Sequence, residues 1–388
     1  MRRVALVSDG RVSDGIYQSI IDEIIKNKNL EYMYVVTGAH LLNEFGNTIK
    51  TIKDKGIKVY EMPIELDGEE ENKQVKNVGR YILAITSLFE KNRPDIILAQ
   101  GDRGIALATA LVGAHLLIPV AHMHGGEISR TVDEYTRHAI THYSHIHFVA
   151  TEKSAERLRL LGQEDSRIFV VGATAIDYVL KQDLITRNEL EKEFALNFDD
   201  KIGVILQHPV PEEKGLNGIN FEKTLRATNE SNLDKIILIY PNSDEGSEEI
   251  INIIKDTENN KDKFPKIKIY KNIPFEKYLG LLKYSSVLIG NSSGGIIEAP
   301  VIGIPVVNVG TRQEGRERSP AIIDVNYDKN EILNAIDKAL YDEEFKNKVK
   351  KKICPYNPYN DGNSAKKIVN ILENIKIDTN LLNKRLTY

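Results

Sequence analysis

A single cysteine, Cys354, stands in 388 residues. One thiol excludes an internal disulfide framework and any zinc site built from cysteines, and it points to a reducing, cytoplasmic setting. A basic excess is also missing: 52 Lys+Arg face 56 Asp+Glu, a formal charge of −4. A nucleic-acid-binding surface normally needs the opposite balance. Long apolar runs are lacking as well. The first, Val4 to Val7, ends at Ser8-Asp9 and is too short for a signal-peptide core. The longest, residues 106–120, contains Gly113 and His115 and falls short of a membrane span. No low-complexity tail and no His-Glu-x-x-His run occur.

What remains is 41% hydrophobic and 28% charged residues, the balance of a soluble chain long enough for two cores. Short apolar runs alternate with longer segments of helical period. Strand candidates are residues 4–8, 34–37, 95–99, 120–122, 147–150 and 168–171, then 202–207, 235–240, 267–270, 287–289 and 305–309. Most are apolar throughout, as parallel strands covered on both faces are. Helical segments fall between them, at 16–27, 75–92, 103–116, 135–143, 154–161 and 331–340. This βαβα rhythm predicts an α/β fold with doubly wound parallel sheets. It runs twice, with a charged connection at 181–200, so the domains are expected at 1–180 and 181–360. Residues 67–76 read as a solvated, charge-rich loop. In such sheets ligands sit beyond the carboxyl ends of the strands.

In the second half, Gly290-Asn291-Ser292-Ser293-Gly294-Gly295 follows a strand and opens a predicted helix. Free N–H groups and hydroxyls there suit a diphosphate, and Glu298, a turn and a half further on, is placed to accept from ribose hydroxyls. A serine N-cap with packing glycines is the plainer alternative. The next strand leads into Gly310-Thr311-Arg312 and two more arginines, Arg316 and Arg318. Three arginines beside a candidate diphosphate site read as anion ligands, Arg312 first. His208 and the pair Asn242/Asp244 follow two other strands.

In the first half, Gly101-Asp102-Arg103 and His122-Met123-His124-Gly125-Gly126-Glu127 end two strands, and Asp133-Glu134 enters a helix. Five of nine histidines lie between His122 and His145. His122 and His124 have the spacing of one strand face, and His138 and His142 are four apart on a helix. A metal site is the first thought, but the pattern matches no zinc spacing. Acid–base chemistry is the better reading. Asp133 doubles as an N-cap candidate, and His138, His142, His145 and His147 read as packing or network residues.

These strings resemble the UDP-N-acetylglucosamine 2-epimerase family, in particular its hydrolysing branch. The stretches are Gly101-Asp102-Arg103, His124-Gly125-Gly126-Glu127, Asp133-Glu134-x-x-Arg137-His138, Gln207-His208-Pro209-Val210, Gly290-Asn291-Ser292-Ser293-Gly294 and Gly310-Thr311-Arg312-Gln313. The resemblance implies a glycosyltransferase-B type fold: two Rossmann-like domains facing a cleft, with a C-terminal helix at 362–375 returning to the first. It implies catalytic roles for Asp102, His124, Asp133, Glu134 and His208. Substrate contacts would fall to Arg11, Arg103, Asn242, Gly290, Ser292, Ser293, Glu298 and Arg312. The substrate would be a UDP-sugar, with no redox cofactor and no metal. Many relatives carry a carboxylate in place of His124, and the loop after Arg11 departs from the family pattern.

The implied reaction removes the C2 proton, expels UDP to form a glycal, and adds water with inversion at C2. The rivals are a non-hydrolysing epimerase, a retaining glycosyltransferase of the same fold, and a nucleotide-sugar-binding regulator. A homo-oligomer is expected, with the apolar helix at 105–117 as one contact surface.

Overall fold

The computed structural model describes residues 1–41, 48–64, 73–129, 132–181, 185–242 and 244–388, without the side chains of residues 11–14, 39, 51 and 73. The chain divides into two compact units. The first comprises Met1–Glu127, Val132–Tyr178 and Pro358–Tyr388, and the second is largely Val179–Asn357.

The first unit is built on strands β1 (Arg2–Ser8), β2 (Leu30–Val36), β3 (Val59–Glu61), β4 (Ile96–Gln100), β5 (Val120–Met123), β6 (Ile146–Val149) and β7 (Ile168–Val170). They form one parallel sheet in the order β3-β2-β1-β4-β5-β6-β7. Its register pairs Ser8 with Val36 and Leu6 with Leu98. Helices α1 (Arg11–Ile25), α2 (Ile49–Asp54), α3 (Lys73–Lys91), α4 (Gly104–His115), α5 (Val132–Tyr143), α6 (Glu152–Leu160) and α7 (Thr174–Lys181) connect them. The end of the charge-rich segment expected to be a loop is therefore helical from Lys73 on; residues 67–72 lie outside the described residues.

The second unit carries helices α8 (Arg187–Phe194), α9 (Asn217–Glu230), α10 (Ser247–Asn259), α11 (Phe275–Tyr284), α12 (Glu298–Ile302), α13 (Lys329–Tyr341) and α14 (Glu343–Lys350). They surround strands β8 (Ile202–Leu206), β9 (Lys235–Ile239), β10 (Ile267–Tyr270), β11 (Val287–Gly290), β12 (Val306–Val309) and β13 (Ile322–Val325). The sheet order is β10-β9-β8-β11-β12-β13, again parallel. In both sheets the order reverses beside the first strand, between β1 and β4 and between β8 and β11. Loops leave in opposite directions at these switch points and leave room for ligands.

Alternation along β1 shows how the first core forms. Val4 and Leu6 pack with Tyr17, Ile20, Ile24, Ile368 and Leu372, whereas Ala5 and Val7 pack with Ile85, Phe89, Ile105 and Ile140. One face is thus covered by α1 and α15 (Ser364–Asn374), the other by α3, α4 and α5. Each fully buried Leu, Ile or Phe contributes roughly 1.5–3 kcal/mol. The apolar helix α4, expected to offer a contact surface, turns Ile105, Ala106, Ala108, Ala110 and Val112 into this core. A short α16 (Thr379–Leu382) ends the chain's helices.

The return of the C-terminal helix is fixed by a cap from another element. Buried Asp177 of α7 accepts from the N–H of Ser364 (3.0 Å) and Ala365 (2.6 Å), the first turn of α15. Asp177→Ala strands both donors and is expected to cost about 2 kcal/mol. Urea denaturation tests this; an unchanged midpoint contradicts it.

Candidate functional site

The first cluster grows from the ends of β4, β5 and the start of α5. Backbone N–H of Gly101 donates to Met123 O (3.1 Å), and that of His124 to Phe148 O (3.0 Å), which aligns the three strand ends. His122, the last but one residue of β5, is fully buried. Its Nε2 bonds Gly101 O (2.8 Å) and its Nδ1 bonds Thr141 Oγ1 (3.1 Å). Burial pushes its imidazole down to about 4, so it stays neutral and structural.

His124 does not share a strand face with His122, contrary to the expectation from spacing. It lies past the strand with φ +63°, a conformation in which a non-glycine residue is uncommon and strained. Gly126 follows at φ +74°, where a Cβ would stand 2.3 Å from Ser154 O, so no other residue fits. This fold-back brings Glu127, buried and acidic, to 2.6 Å from His124 Nδ1. Arg137 of α5, 1% exposed, donates to Glu127 O (2.8 Å) and forms an ion pair with Asp102.

Asp133 and Glu134 lie in the first helical turn of α5 rather than at its cap. Asp133 precedes Arg137 by four residues and so shares its helix face. Glu134 approaches His138 Nε2 at 3.6 Å. The structure therefore gathers Asp102, His124 and the Asp133 face of α5, and adds Glu127 and Arg137, which had no role in the reading from sequence. His145 and His147 serve as network residues: Val120 N–H donates to His145 Nδ1 (3.1 Å), and His147 Nε2 meets Gln163 Oε1 (3.0 Å).

Arg103, also a first-unit residue, acts on a carboxyl after β1. Burial raises Asp9 above the usual carboxylate range while Arg103 and the Tyr81 hydroxyl oppose the shift. That hydroxyl donates to Asp9 Oδ2 at 3.4 Å. Asp9 and Arg103 thus flank the β1/β4 switch point. Arg11 opens α1, but its side chain is outside the described residues.

The second cluster forms at the β8/β11 switch point around Asn291, which is fully buried. Its Oδ1 accepts from His208 N (2.6 Å) and its Nδ2 donates to His208 O (2.9 Å). Its own carbonyl accepts from Gln313 Nε2 (2.8 Å) and Arg312 Nη1 (3.3 Å). One asparagine thereby ties together the loops after β8, β11 and β12. His208 Nδ1 accepts from Asn242 N (3.1 Å), which leaves the proton of a neutral ring on Nε2. Asp244 accepts from the Asn242 amide and lies 3.7 Å from Arg312 Nη2.

Gly290 is held to glycine by packing, because a Cβ would stand 2.3 Å from Leu206 O at φ +128°. One expectation about this loop changes. Glu298 does not continue a helix opened by Ser292 and Ser293. Ser293–Gly295 is a 3-10 turn, capped by Ser292 Oγ accepting from Gly294 N (3.3 Å), and the five-residue α12 starts afresh at Glu298. Pro300 is the cause: it lacks an N–H, and its ring would collide with the carbonyl of residue 296 in a continuous helix. So short a helix has little dipole to offer an anion. The binding power rests on the turn's N–H groups, the two serine hydroxyls and Arg312. Tyr278, buried beside this turn with no hydrogen-bond partner for its hydroxyl, has its phenol raised by burial and by the charge of Glu298.

Among the described residues, no group of three or more His, Cys, Asp and Glu side chains is placed to hold a metal ion. None of their helices is long and apolar enough to cross a membrane.

Comparison with known proteins matches this arrangement of parts. A hydrolysing UDP-N,N'-diacetylbacillosamine 2-epimerase of Legionella pneumophila is 36% identical over 389 residues, covering 100% of both chains. A UDP-N-acetylglucosamine 2-epimerase of Neisseria meningitidis is 33% identical over 343 residues, covering 87% of this chain and 88% of that one. The fold is that of the crystal structure of the Neisseria meningitidis UDP-GlcNAc 2-epimerase bound to UDP-GlcNAc, with a TM-score of 0.81 at 20% identity over 96% of this chain and 99% of that one. Such likeness identifies the doubly wound pair of sheets as glycosyltransferase-B-like. The profile described as UDP-N-acetylglucosamine 2-epimerase matches residues 22–373, and with both strand-end clusters inside that span, the chain belongs to the UDP-N-acetylglucosamine 2-epimerase family.

Proposed function

We propose that this enzyme is a hydrolysing 2-epimerase, converting UDP-N-acetylglucosamine or a close UDP-N-acetylhexosamine and water into an N-acetylmannosamine-type sugar and UDP. The observation that carries the reading is the His124–Glu127 pair at 2.6 Å, with Glu127 buried and His124 partly exposed. With Nδ1–H directed at a carboxylate, Nε2 is the basic position of the imidazole, as a proton-abstracting group needs. The relative from Legionella pneumophila, named as hydrolysing and aligned over the full chain, supports the hydrolytic branch. It also makes a hexose with a second acetamido group a candidate substrate.

Chemistry divides between the two clusters. His124 and Asp133 exchange the C2 proton, one removing it and the other returning a proton on the opposite face. Asp102, engaged by Arg137, orients. As the C2–H and C1–O bonds break, UDP leaves as an anion and a glycal forms. Ser292, Ser293, Arg312 and the Nε2–H of His208 stabilise the departing diphosphate, and Glu298 and Asn242 bind its nucleoside portion. Water then adds its OH to C1. No redox cofactor or metal enters this scheme. The lone Cys354, buried, fits a cytoplasmic enzyme, and half-buried Leu107 and Leu111 on α4 suit a homo-oligomer. Sedimentation as a clean monomer would end that last reading.

Turnover in ¹⁸O-water tests the bond cleaved. Elimination at C1 releases unlabelled UDP, whereas label in the UDP phosphate means attack at phosphorus and contradicts the mechanism. Arg312→Ala is expected to weaken UDP binding by roughly 10–100-fold, the loss of one charge-assisted anion contact. Titration calorimetry with UDP measures this, and an unchanged Kd removes Arg312 from the site.

A further inference from the structure

The first unit holds a half-buried lysine that the chemistry above does not use. Lys384, in the last ten residues, directs Nζ at the backbone carbonyls of Thr141 (3.2 Å), His142 (2.7 Å) and Ser144 (2.8 Å) and at Gln163 Oε1 (2.9 Å). The first three carbonyls lie at and just past the C-terminal end of α5, where Thr141 O also accepts from Ser144 N–H (3.2 Å) and where a cation complements the helix dipole. The tail that carries it is tied down on both sides. Arg167 donates to Leu381 O and Asn380 O, both at 2.8 Å, and Thr387 N–H donates to Gly162 O at 3.0 Å.

From Lys384 the contacts run directly to the acid–base cluster. Thr141, whose carbonyl Lys384 holds, uses its hydroxyl on His122 Nδ1 (3.1 Å), and His122 Nε2 holds Gly101 O (2.8 Å). Gly101 precedes Asp102. One turn back along α5, Arg137 pairs with that same Asp102. Asp102, Arg137, Thr141, His122 and Gly101 thus form a closed ring, and Lys384 grips it from outside.

We propose that Lys384 is a positioning residue for α5, fastening its C-terminal end so that Asp133 and Arg137 keep their register against Asp102 and His124. The proposal rests on the acid–base assignment made above. Charged and titratable groups face the ammonium from every side: Arg167 and Glu164 ahead of β7, His142 at the end of α5, His145 beyond it and His147 in β6. Burial, reinforced by Arg167 and opposed by Glu164, lowers the lysine to about 8, so it is still mainly charged at neutral pH.

Lys384→Met, which keeps the stem and removes the ammonium, is the test. We expect kcat on the UDP-sugar to fall about tenfold or more with KM and UDP affinity changed less than about twofold, the signature of lost alignment rather than lost binding. Amide exchange across α5 is expected to quicken by about tenfold. An unchanged kcat, or kcat and KM moving together with a general rise in exchange over the whole unit, overturns the proposal. If the methionine variant does not fold, Lys384→Gln, which retains two donors without charge, carries the same test. If the wild-type protein turns over no UDP-sugar, the acid–base reading fails separately. The exchange measurement then decides alone: faster exchange confined to α5 supports the fastening, and unchanged exchange overturns it.

Discussion

His124→Ala is expected to reduce turnover by about 10³-fold while leaving UDP affinity within about twofold, the range for removal of one general acid–base group. The reason lies in the partition of the chain. His124 and Glu127 belong to the cluster beyond β5, and every contact proposed for the diphosphate belongs to the cluster around Asn291. Glu127→Gln is expected to act through the histidine. An amide still accepts from Nδ1–H but no longer supports the charge of an imidazolium, so a smaller loss of about 10²-fold is expected. Asp133→Asn should resemble His124→Ala. UDP release by chromatography and UDP binding by calorimetry separate the two effects. A fall in UDP affinity as large as that of Arg312→Ala would contradict the division of labour.

Mild acid is expected to unfold the first unit through its buried imidazoles. His122 titrates at about 4 in the folded protein because burial opposes its charged form, against an ordinary value of 6.5. His145 is likewise lowered to about 4, and His147 is driven well below its usual range, both chiefly by burial. Between these values and 6.5 the unfolded chain binds more protons than the folded one. The stabilisation is complete above pH 6.5 and is lost as pH falls towards 4. For His122 alone this amounts to roughly 3 kcal/mol, and a domain of this size has only about 5–15 kcal/mol in hand. Urea midpoints should therefore fall steeply from pH 7 to 4.5, and His122→Asn should flatten that slope. Equal wild-type midpoints at the two pH values would show that these imidazoles are solvated.

The placement of the candidate site residues at strand ends was largely legible because parallel α/β sheets put polar residues immediately after apolar strands. Asp102, His124, His208, Asn242, Ser292 and Arg312 all follow strands that the apolar runs revealed. Two strands escaped. β3 and β13 are edge strands of three and four residues whose members are half-buried or exposed, so neither presents the unbroken apolar run of an interior strand. Glu127 escaped for another reason. Its reach to His124 depends on the backbone reversal at Gly126, which strand or helix periodicity does not encode. Arg137 and Asn291 stood inside the quoted motifs without a role, because only the tertiary fold shows a buried guanidinium meeting Asp102 or an amide bridging three loops. The broken helix at Glu298 was visible in Pro300, whose missing donor forbids the continuous helix that the serine-glycine start suggested.

Proton NMR of the purified protein in deuterated water, with UDP-N-acetylglucosamine and UDP-N,N'-diacetylbacillosamine supplied in parallel, tests the central claim most directly. The account expects UDP and a free 2-epimerised sugar with deuterium at C2 from at least one of them, since C2 loses its proton and regains one from solvent. A UDP-linked 2-epimer that accumulates without free sugar would assign the protein to the non-hydrolysing branch, and free sugar that keeps its original C2 proton would contradict proton abstraction altogether.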